Sequence, residues 1–344
     1  SVVRGWQERH PRCHPEGMDL WFVDPDGIEL HDPAELSVLL GRTDGFVWVD
    51  MVAEDEQAER LLTEVVRAHP LVVSACAQRN HVPTVHGYAD HVFVVLHSPY
   101  AGDAGHVHLL ELDPLVGRRY LVTVHGPINP VVDPAEALRE TVAVRGRIER
   151  GTFRPTSPAE LSHAIGSAIV RSQRDVVTSV AESLPAMEQL AMSSDFRRPE
   201  ELLERLFLIR HELITVRTMA AQSHEIYARI RTLERVVPEP ERLYAGDLAE
   251  QFDRLRSLAD GESHFLFGVI DLYQTRVTTK MTVAMERLAV IAAITLPVTA
   301  LASIYGMNMI VNDRTHVPQL VLVLLVMASI SALLLRWTKK QGWW

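Results

Sequence analysis

The sequence has few of the residues that secreted proteins and most soluble enzymes depend on. Its 344 residues include only two cysteines, Cys13 and Cys76, too few and too isolated for a disulfide framework or a thiolate metal site. Its only lysines are Lys280, Lys339 and Lys340, and none belongs to a glycine-rich phosphate-binding motif. No nucleophile–base constellation is visible either, so an enzyme is the least favoured class of protein.

The charge balance and the N-terminal segment exclude two further classes. A formal net charge of −10 argues against a nucleic-acid partner. Residues 1–30 mix charged side chains and histidines without an apolar h-region, so no cleavable signal peptide is predicted. We therefore expect residues 1–280 to stay in the cytosol.

Long apolar runs occur only near the C-terminus. Residues 288–305 carry no charge and residues 317–335 carry none either, and each run approaches the roughly 20 residues that a membrane-spanning helix needs. Basic residues flank the pair of runs on their outer sides: Arg276, Lys280, Arg287, Arg336, Lys339 and Lys340. The positive-inside rule then predicts a multi-pass protein of the plasma (inner) membrane with both termini cytoplasmic and the loop 306–316 outside.

The first 130 residues have the pattern of a cytoplasmic α/β domain. Runs at 46–52, 92–96, 106–112 and 119–124 predict strands, the last two joined by a turn from Asp113 and Pro114 to Gly117. Segments 54–68 and 70–80 predict helices between them. An α/β/α layer is the simplest packing that buries such runs on both faces.

Residues 131–240 are predicted to be helical. Pro134 follows an Asp cap, and Ser157-Pro158-Ala159-Glu160 is a capping box that starts a helix ending near residue 194. A second helix over 200–237 pairs with it in antiparallel fashion. After the Pro238–Pro240 hinge, a stalk helix over 241–287 continues into the first span at 288–305; a second span covers 317–337 and a basic tail 338–344.

One face of the long helix is small, polar or acidic. Steps of three and four residues along it give Asp271, Thr275, Thr278, Thr282, Met285, Ala289, Ala292, Leu296, Thr299, Ser303 and Gly306. A seam that repeats every 3.5 residues needs identical partner helices around a common axis. We interpret the stripe as the lining of a pore, with Met285, Leu288 and Leu296 as apolar constrictions that close by dewetting. Packing between membrane helices is the alternative explanation of the hydroxyls.

The stripe has no acid or base inside the membrane, so a permeating cation would meet hydroxyls, backbone carbonyls and, at the outer end, Asn308. Neutral oxygens suit Mg²⁺, which holds its waters tightly and can be bound through its hydration shell. Asp271, below the membrane, could form an acidic ring at the inner end.

The chain resembles the CorA family of magnesium channels. The residues that carry the resemblance are Asp271, Lys280, Pro297 with Thr299, the Tyr305-Gly306-Met307-Asn308 motif, and the segments His69-Pro70-Leu71-Val72 and Tyr120-Leu121-Val122-Thr123-Val124-His125. The resemblance implies a funnel-shaped homopentamer, in which four identical subunits join each chain. It implies permeation of Mg²⁺, and often of Co²⁺ or Ni²⁺, with no organic cofactor. It also implies an outer selectivity ring of Gly306, Met307 and Asn308, with Ser303, Thr299 and Thr282 as polar rings below it.

The resemblance also implies a regulatory Mg²⁺ site between subunits, and here the chain departs from the family. The stalk acid is present as Asp247, but Ser74 and Ala75 replace the acidic pair expected to face it. A single carboxylate holds a divalent ion poorly. We expect magnesium sensing at Asp247 to be weakened, lost or rebuilt from other groups.

Two alternatives to a passive magnesium channel stay open. A ZntB-like zinc transporter, which could be proton-coupled, shares the motif and fold, and the chain has 16 histidines, a side chain that suits Zn²⁺. A membrane-anchored sensor or scaffold whose spans do not conduct is the second alternative.

Overall fold

A computed structural model describes residues 17–53, 56–102, 107–127, 129–192, 199–309 and 317–340. The chain divides into two compact units, Ser1–Gly268 and Val269–Trp344. The first unit therefore contains both the segment predicted as an α/β domain and the helices that follow it.

A seven-stranded sheet forms the centre of the first unit. Its strands are β1 (Met18–Asp24), β2 (Gly27–His31), β3 (Phe46–Val52), β4 (Thr84–Gly87), β5 (His91–Ala101), β6 (Val107–Gly117) and β7 (Tyr120–His125). They lie in the order β2-β1-β3-β7-β6-β5-β4. Only β3 and β7 pair in parallel among these strands, and the other five pairs are antiparallel.

Short helices cover one face of the sheet and long helices the other. The short ones are α1 (Leu36–Leu39), α2 (Glu56–Arg60, continued by a π-helical turn over Leu61–Val65) and α3 (Pro70–Cys76), and their apolar side chains share one core with alternate strand residues such as Phe22, Val49 and Phe93. After α4 (Pro134–Ala137) and α5 (Arg139–Glu149), helix α6 (Pro158–Met192) packs on β3, β5, β6 and β7. The sheet thus has helices on both faces, as the predicted α/β/α layering requires, but the second layer is supplied by α6, which lies outside the segment 1–130 for which the layering was predicted.

Three more helices complete the described chain: α7 (Pro199–Ile230), α8 (Glu239–Met309) and α9 (Val317–Lys340). The predicted caps are present at the starts of α4 and α6. Asp133 Oδ1 accepts from the amide of Ala135 at 2.9 Å, and Ser157 Oγ accepts from the amide of Glu160 at 3.1 Å. Helices α6 and α7 contact each other, as the predicted pair requires.

The turn predicted at Asp113–Gly117 is wrong. Strand β6 continues to Gly117, and the chain reverses at Arg118 and Arg119. Pro114 is tolerated within the strand because the register between β5 and β6 is interrupted between Leu112 and Leu115, so the missing proline N–H breaks no ladder bond on that side.

A buried polar network joins β3 to β7. Asp50 accepts hydrogen bonds from Thr123 Oγ1 at 2.6 Å and His125 Nε2 at 2.8 Å, while Trp48 Nε1 donates to Thr123 Oγ1 at 3.0 Å. Burial alone would raise the pKa of Asp50, but the charge of His125 and these hydrogen bonds outweigh it and lower the pKa. The carboxylate is therefore stabilised in the folded state.

Replacing Asp50 with alanine should destabilise the folded chain by about 3 kcal/mol, because it leaves His125 buried without its carboxylate. The stabilisation is present above the unfolded-state pKa of the carboxyl and is lost as the pH falls through the lower folded-state pKa. Thermal unfolding of the detergent-solubilised chain, followed by circular dichroism, should show a lower midpoint at pH 7 and a difference that shrinks in strong acid. The exposed Asp44 provides the control: Asp44→Ala should leave the midpoint nearly unchanged. A difference in midpoint between Asp50→Ala and the wild type that does not change with pH would contradict the proposed contribution of the Asp50 charge.

Candidate ion pathway

Two described helices are long and apolar enough to cross a membrane. Their apolar windows lie in the second half of α8 and in α9, and only 6% of each window is buried within the chain. The exposed large side chains include Leu288, Ile291, Leu296 and Ile304 on α8, and Leu325 and Leu333 on α9. So much apolar surface is stable only when lipid or other protein surfaces cover it.

The predicted stripe lies on one continuous helix. Helix α8 runs through every position of the stripe without a break, although Pro297 lies inside it. Every polar member whose side chain is described is exposed: Asp271, Thr275, Thr278, Thr282, Thr299 and Ser303. The predicted gate residues Met285, Leu288 and Leu296 are exposed as well, at 58%, 66% and 68%. These side chains are free to face a conduit or a neighbouring copy, so their roles stay predictions.

Three of the four threonine hydroxyls of the stripe have their hydrogens engaged. Thr278, Thr282 and Thr299 each donate to the backbone carbonyl four residues earlier, at 2.9, 3.0 and 2.8 Å. Such back-bonding is common for threonine in helices and orients the hydroxyl. The oxygen lone pairs stay available as acceptors, and acceptors are what a hydrated cation requires.

The Gly306-Met307-Asn308 motif has a helical backbone. Helix α8 ends at Met309, so the prediction that the motif belongs to the outer loop is wrong for these residues; the loop itself, 310–316, lies outside the described residues. The last four carbonyls of a helix have no partner within it, and the dipole makes that end partially negative. Gly306 has open space where a side chain would begin. The motif thus combines backbone oxygens with a helix end that attracts cations, a property that the loop assignment missed.

Asp247, the predicted regulatory residue, has partners within its own chain. Its Oδ2 lies 2.6 Å from Nε2 of His163 on α6 and accepts from Gln251 Nε2 at 2.6 Å. The hydrogen bond from His163 is the main reason that the pKa of Asp247 lies below its ordinary value. This contact could not be predicted from the sequence because the two residues are 84 positions apart. Ser74 is exposed on α3.

The histidines of the sheet region do not form a metal centre in the described part of the chain. His97 is buried and contacts the carbonyl of Asn80 at 2.7 Å, and His91 contacts Asp90 at 2.7 Å. Within the described ranges, no group of three or more His, Cys, Asp or Glu side chains is placed to hold a metal ion. His106 lies outside those ranges.

Comparison with known proteins identifies the protein family to which the chain belongs. The family model described as CorA-like Mg2+ transporter protein matches residues 43–340, and the chain belongs to that family.

Its relatives are distant but similar over most of their length. The YfjQ protein of Bacillus subtilis (strain 168) is 24% identical over 298 residues, covering 86% of this chain and 89% of the relative. The cobalt/magnesium transport protein CorA of Thermotoga maritima is 22% identical over 284 residues, covering 80% and 76%.

Solved structures show the same fold. The CorA magnesium transporter of Methanocaldococcus jannaschii matches with a TM-score of 0.77 at 14% identity, covering 95% of this chain and 98% of that one. The ZntB cytoplasmic domain of Vibrio parahaemolyticus matches with a TM-score of 0.59 at 12% identity, covering 77% and 99%. At these identities the likeness establishes the fold alone.

Proposed function

We propose that this chain is a divalent-cation channel that carries Mg²⁺, and secondarily Co²⁺ or Ni²⁺, into the cytoplasm. The observation that carries the proposal is the stripe of α8, whose oxygens within the apolar span are uncharged and which leads along one exposed helix face to the motif at the helix end. Membership of the CorA-like family and the name of the Thermotoga maritima relative support the choice of cargo.

Uptake of Mg²⁺ by this route needs no coupled energy source. A doubly charged ion that enters a cell with a negative interior gains about 4.6 kcal/mol per 100 mV of membrane potential. That gain corresponds to roughly three decades of accumulation. Rings of neutral oxygen can bind the hydrated ion through its water shell and release it again, whereas a carboxylate cage would hold it too firmly.

The proposal includes a homopentamer in the plasma (inner) membrane with both termini in the cytoplasm. One copy of α8 cannot enclose a conduit, so identical copies must supply the other walls. The exposed stripe and the exposed apolar side chains of α8 and α9 are the surfaces that partner copies and lipid would cover. Crosslinking or native mass measurement of the purified assembly tests the copy number.

The deciding experiment is ion flux in liposomes with Mg²⁺, Co²⁺ or Zn²⁺ as the cargo. Electrogenic Mg²⁺ uptake driven by a potassium diffusion potential, with no pH gradient, is the expected result. Zinc flux that requires a pH gradient, without magnesium flux, would favour the second candidate, a zinc transporter. The similarity in fold to the ZntB cytoplasmic domain is the observation that favours a zinc transporter as the second candidate. Absence of flux for every ion would favour a non-conducting sensor.

Cytosolic Mg²⁺ should inhibit this channel only weakly. The carboxylate of Asp247 is already engaged by His163 and Gln251, and Ser74 and Ala75 bring no acid to a shared site. Flux into vesicles preloaded with increasing Mg²⁺ measures this directly, and Asp247→Ala should change the inhibition little. Sharp closure at low-millimolar internal Mg²⁺ that disappears in Asp247→Ala would show that the sensor is intact.

A further inference from the structure

A strongly basic groove lies between α5 and α6, in the first unit. Arg145 and Arg147 of α5, Arg150 directly after that helix and Arg171 of α6 line it, with Glu149 as its one acid, and its volume is about 680 Å³. We name it the arginine groove. Such a concentration of positive charge is unexpected in a chain with a net charge of −10. The volume lies within the range of small-molecule sites.

One of the four arginines is part of the fold. The guanidinium of Arg145 is buried, lies 5.2 Å from the centre of the Trp21 ring, and pairs with Asp19 at 3.5 Å and Glu149 at 3.7 Å. Its charge is therefore largely balanced. The free charge of the groove comes from the other three.

Arg147, Arg150 and Arg171 have no carboxylate within ion-pair distance among the residues that the structure describes. The acid whose charge acts on Arg171 is Asp175, one helical turn further along α6. Partial burial, followed by the nearby charges of Arg147 and Arg174, lowers the pKa of Arg171. Like charges thus face each other across the groove, an arrangement that a bound anion would relieve.

The side chain of Arg147 is held in position, and that of Arg150 lies beside the backbone of α5. The guanidinium of Arg147 lies 4.9 Å from the centre of the Phe153 ring, a cation–π contact. Arg150 folds back over Gly146, and its Nη1 lies 3.0 Å from where a side-chain carbon at Gly146 would begin. Glycine at position 146 therefore makes room for this guanidinium. Side chains held in this way lose less conformational entropy when a ligand binds.

The end of α5 would normally repel an anion, because its last carbonyls are partially negative. Here they are capped. Gly146 O accepts from the amide of Arg150 at 3.2 Å, Ile148 O from Gly151 at 2.8 Å, and Arg147 O from Thr152 at 3.0 Å. These hydrogen bonds satisfy the carbonyls and so reduce their repulsion of an anion beside the arginines.

We propose that the arginine groove binds an oligophosphate anion, such as inorganic triphosphate or the triphosphate chain of a nucleotide. Arginine forks match phosphate oxygens with two parallel hydrogen bonds, and three unbalanced guanidiniums fit a chain that carries several charges. A ligand with only one carboxylate would leave most of these guanidiniums without an anionic partner. The site is separate from the ion pathway, so its failure would leave the proposed transport function untouched.

Titration calorimetry on the full chain in a non-ionic detergent tests the proposal, in buffer freed of divalent cations. Sodium triphosphate should bind at least about tenfold more tightly than inorganic phosphate, and added salt should weaken binding. The double variant Arg147→Gln/Arg171→Gln should lose at least about tenfold in affinity. Arg254→Gln is the control, because Arg254 is an exposed arginine of α8 outside the groove. The variant Arg147→Lys/Arg171→Lys should have intermediate affinity, since it keeps the charge but loses the fork.

Several results would overturn the proposal. They are no binding heat at millimolar triphosphate, equal affinity in the double glutamine variant, or tighter binding of short-chain phosphatidic acid than of triphosphate, which would assign the groove to a lipid headgroup. A change in the mass of the assembly in the lysine variant would show instead that the groove is a contact between copies. Circular dichroism and gel filtration test whether each variant is folded. If the double glutamine variant does not fold, the triphosphate affinity of the lysine variant tests the proposal instead.

Discussion

Alanine at Asn308 should lower Mg²⁺ uptake by at least about tenfold, because a hydrogen bond to a charged group contributes roughly 1.5–3 kcal/mol and every copy in the assembly loses its amide at once. The backbone of Asn308 belongs to the last turn of α8, so the substitution leaves the backbone oxygens of the helix end in place. Uptake by a magnesium-transport-deficient host, together with flux in liposomes, measures the effect.

Asn312→Ala provides the matched control, since it removes the same side chain outside the motif. We expect it to transport normally at equal protein levels in the membrane. Unchanged uptake in Asn308→Ala would contradict a role of the motif in ion selection. If the wild-type protein conducts Mg²⁺, that result would indicate that ions are selected at the hydroxyl stripe.

Serine at Leu296 should increase Mg²⁺ leak under conditions that close the wild-type channel. An apolar ring closes by expelling water, and a hydroxyl in each copy lets water remain. A barrier lowered by only about 1.4 kcal/mol raises the rate about tenfold, and we expect an increase of that order. Planar-bilayer conductance or liposome efflux measures the leak, with Met285→Ser as a second test of the same idea.

Ile291→Ser is the control for this experiment. Ile291 is 57% exposed and lies on a different face of α8 from the stripe, five residues before Leu296. A leak of equal size in Ile291→Ser would indicate general loosening of the membrane helices. Reduced flux in Leu296→Ser, with normal expression, would contradict a hydrophobic gate at this position.

The elements that could be predicted from the sequence are those with a strong local signal. Strand β3 is buried at all seven positions, as its apolar run, broken only by Asp50, predicts. The caps at Asp133 and Ser157 place the starts of two helices correctly. Strands β1 and β2 were missed, although the Asp24-Pro25-Asp26-Gly27 turn between them is a strong hairpin signal.

The rest depends on contacts between residues far apart in the sequence. Asp50 meets His125 across the parallel pair β3 and β7, and Arg171 meets the arginines of α5 only after α6 has packed. The motif was assigned to the loop 306–316, whereas α8 continues through it to Met309. The positions of the stripe were predictable because a single helix carries them all.

The hydroxyl geometry of α8 has a consequence for the sign of the ions that can pass. The hydrogens of Thr278, Thr282 and Thr299 are committed to the helix's own carbonyls. A chloride ion travelling beside them would find oxygen lone pairs and no hydrogen to accept, whereas the water shell of a metal ion would find only suitable partners. In the proposed pore, the part of the wall formed by these threonines would reject halides with neutral groups alone.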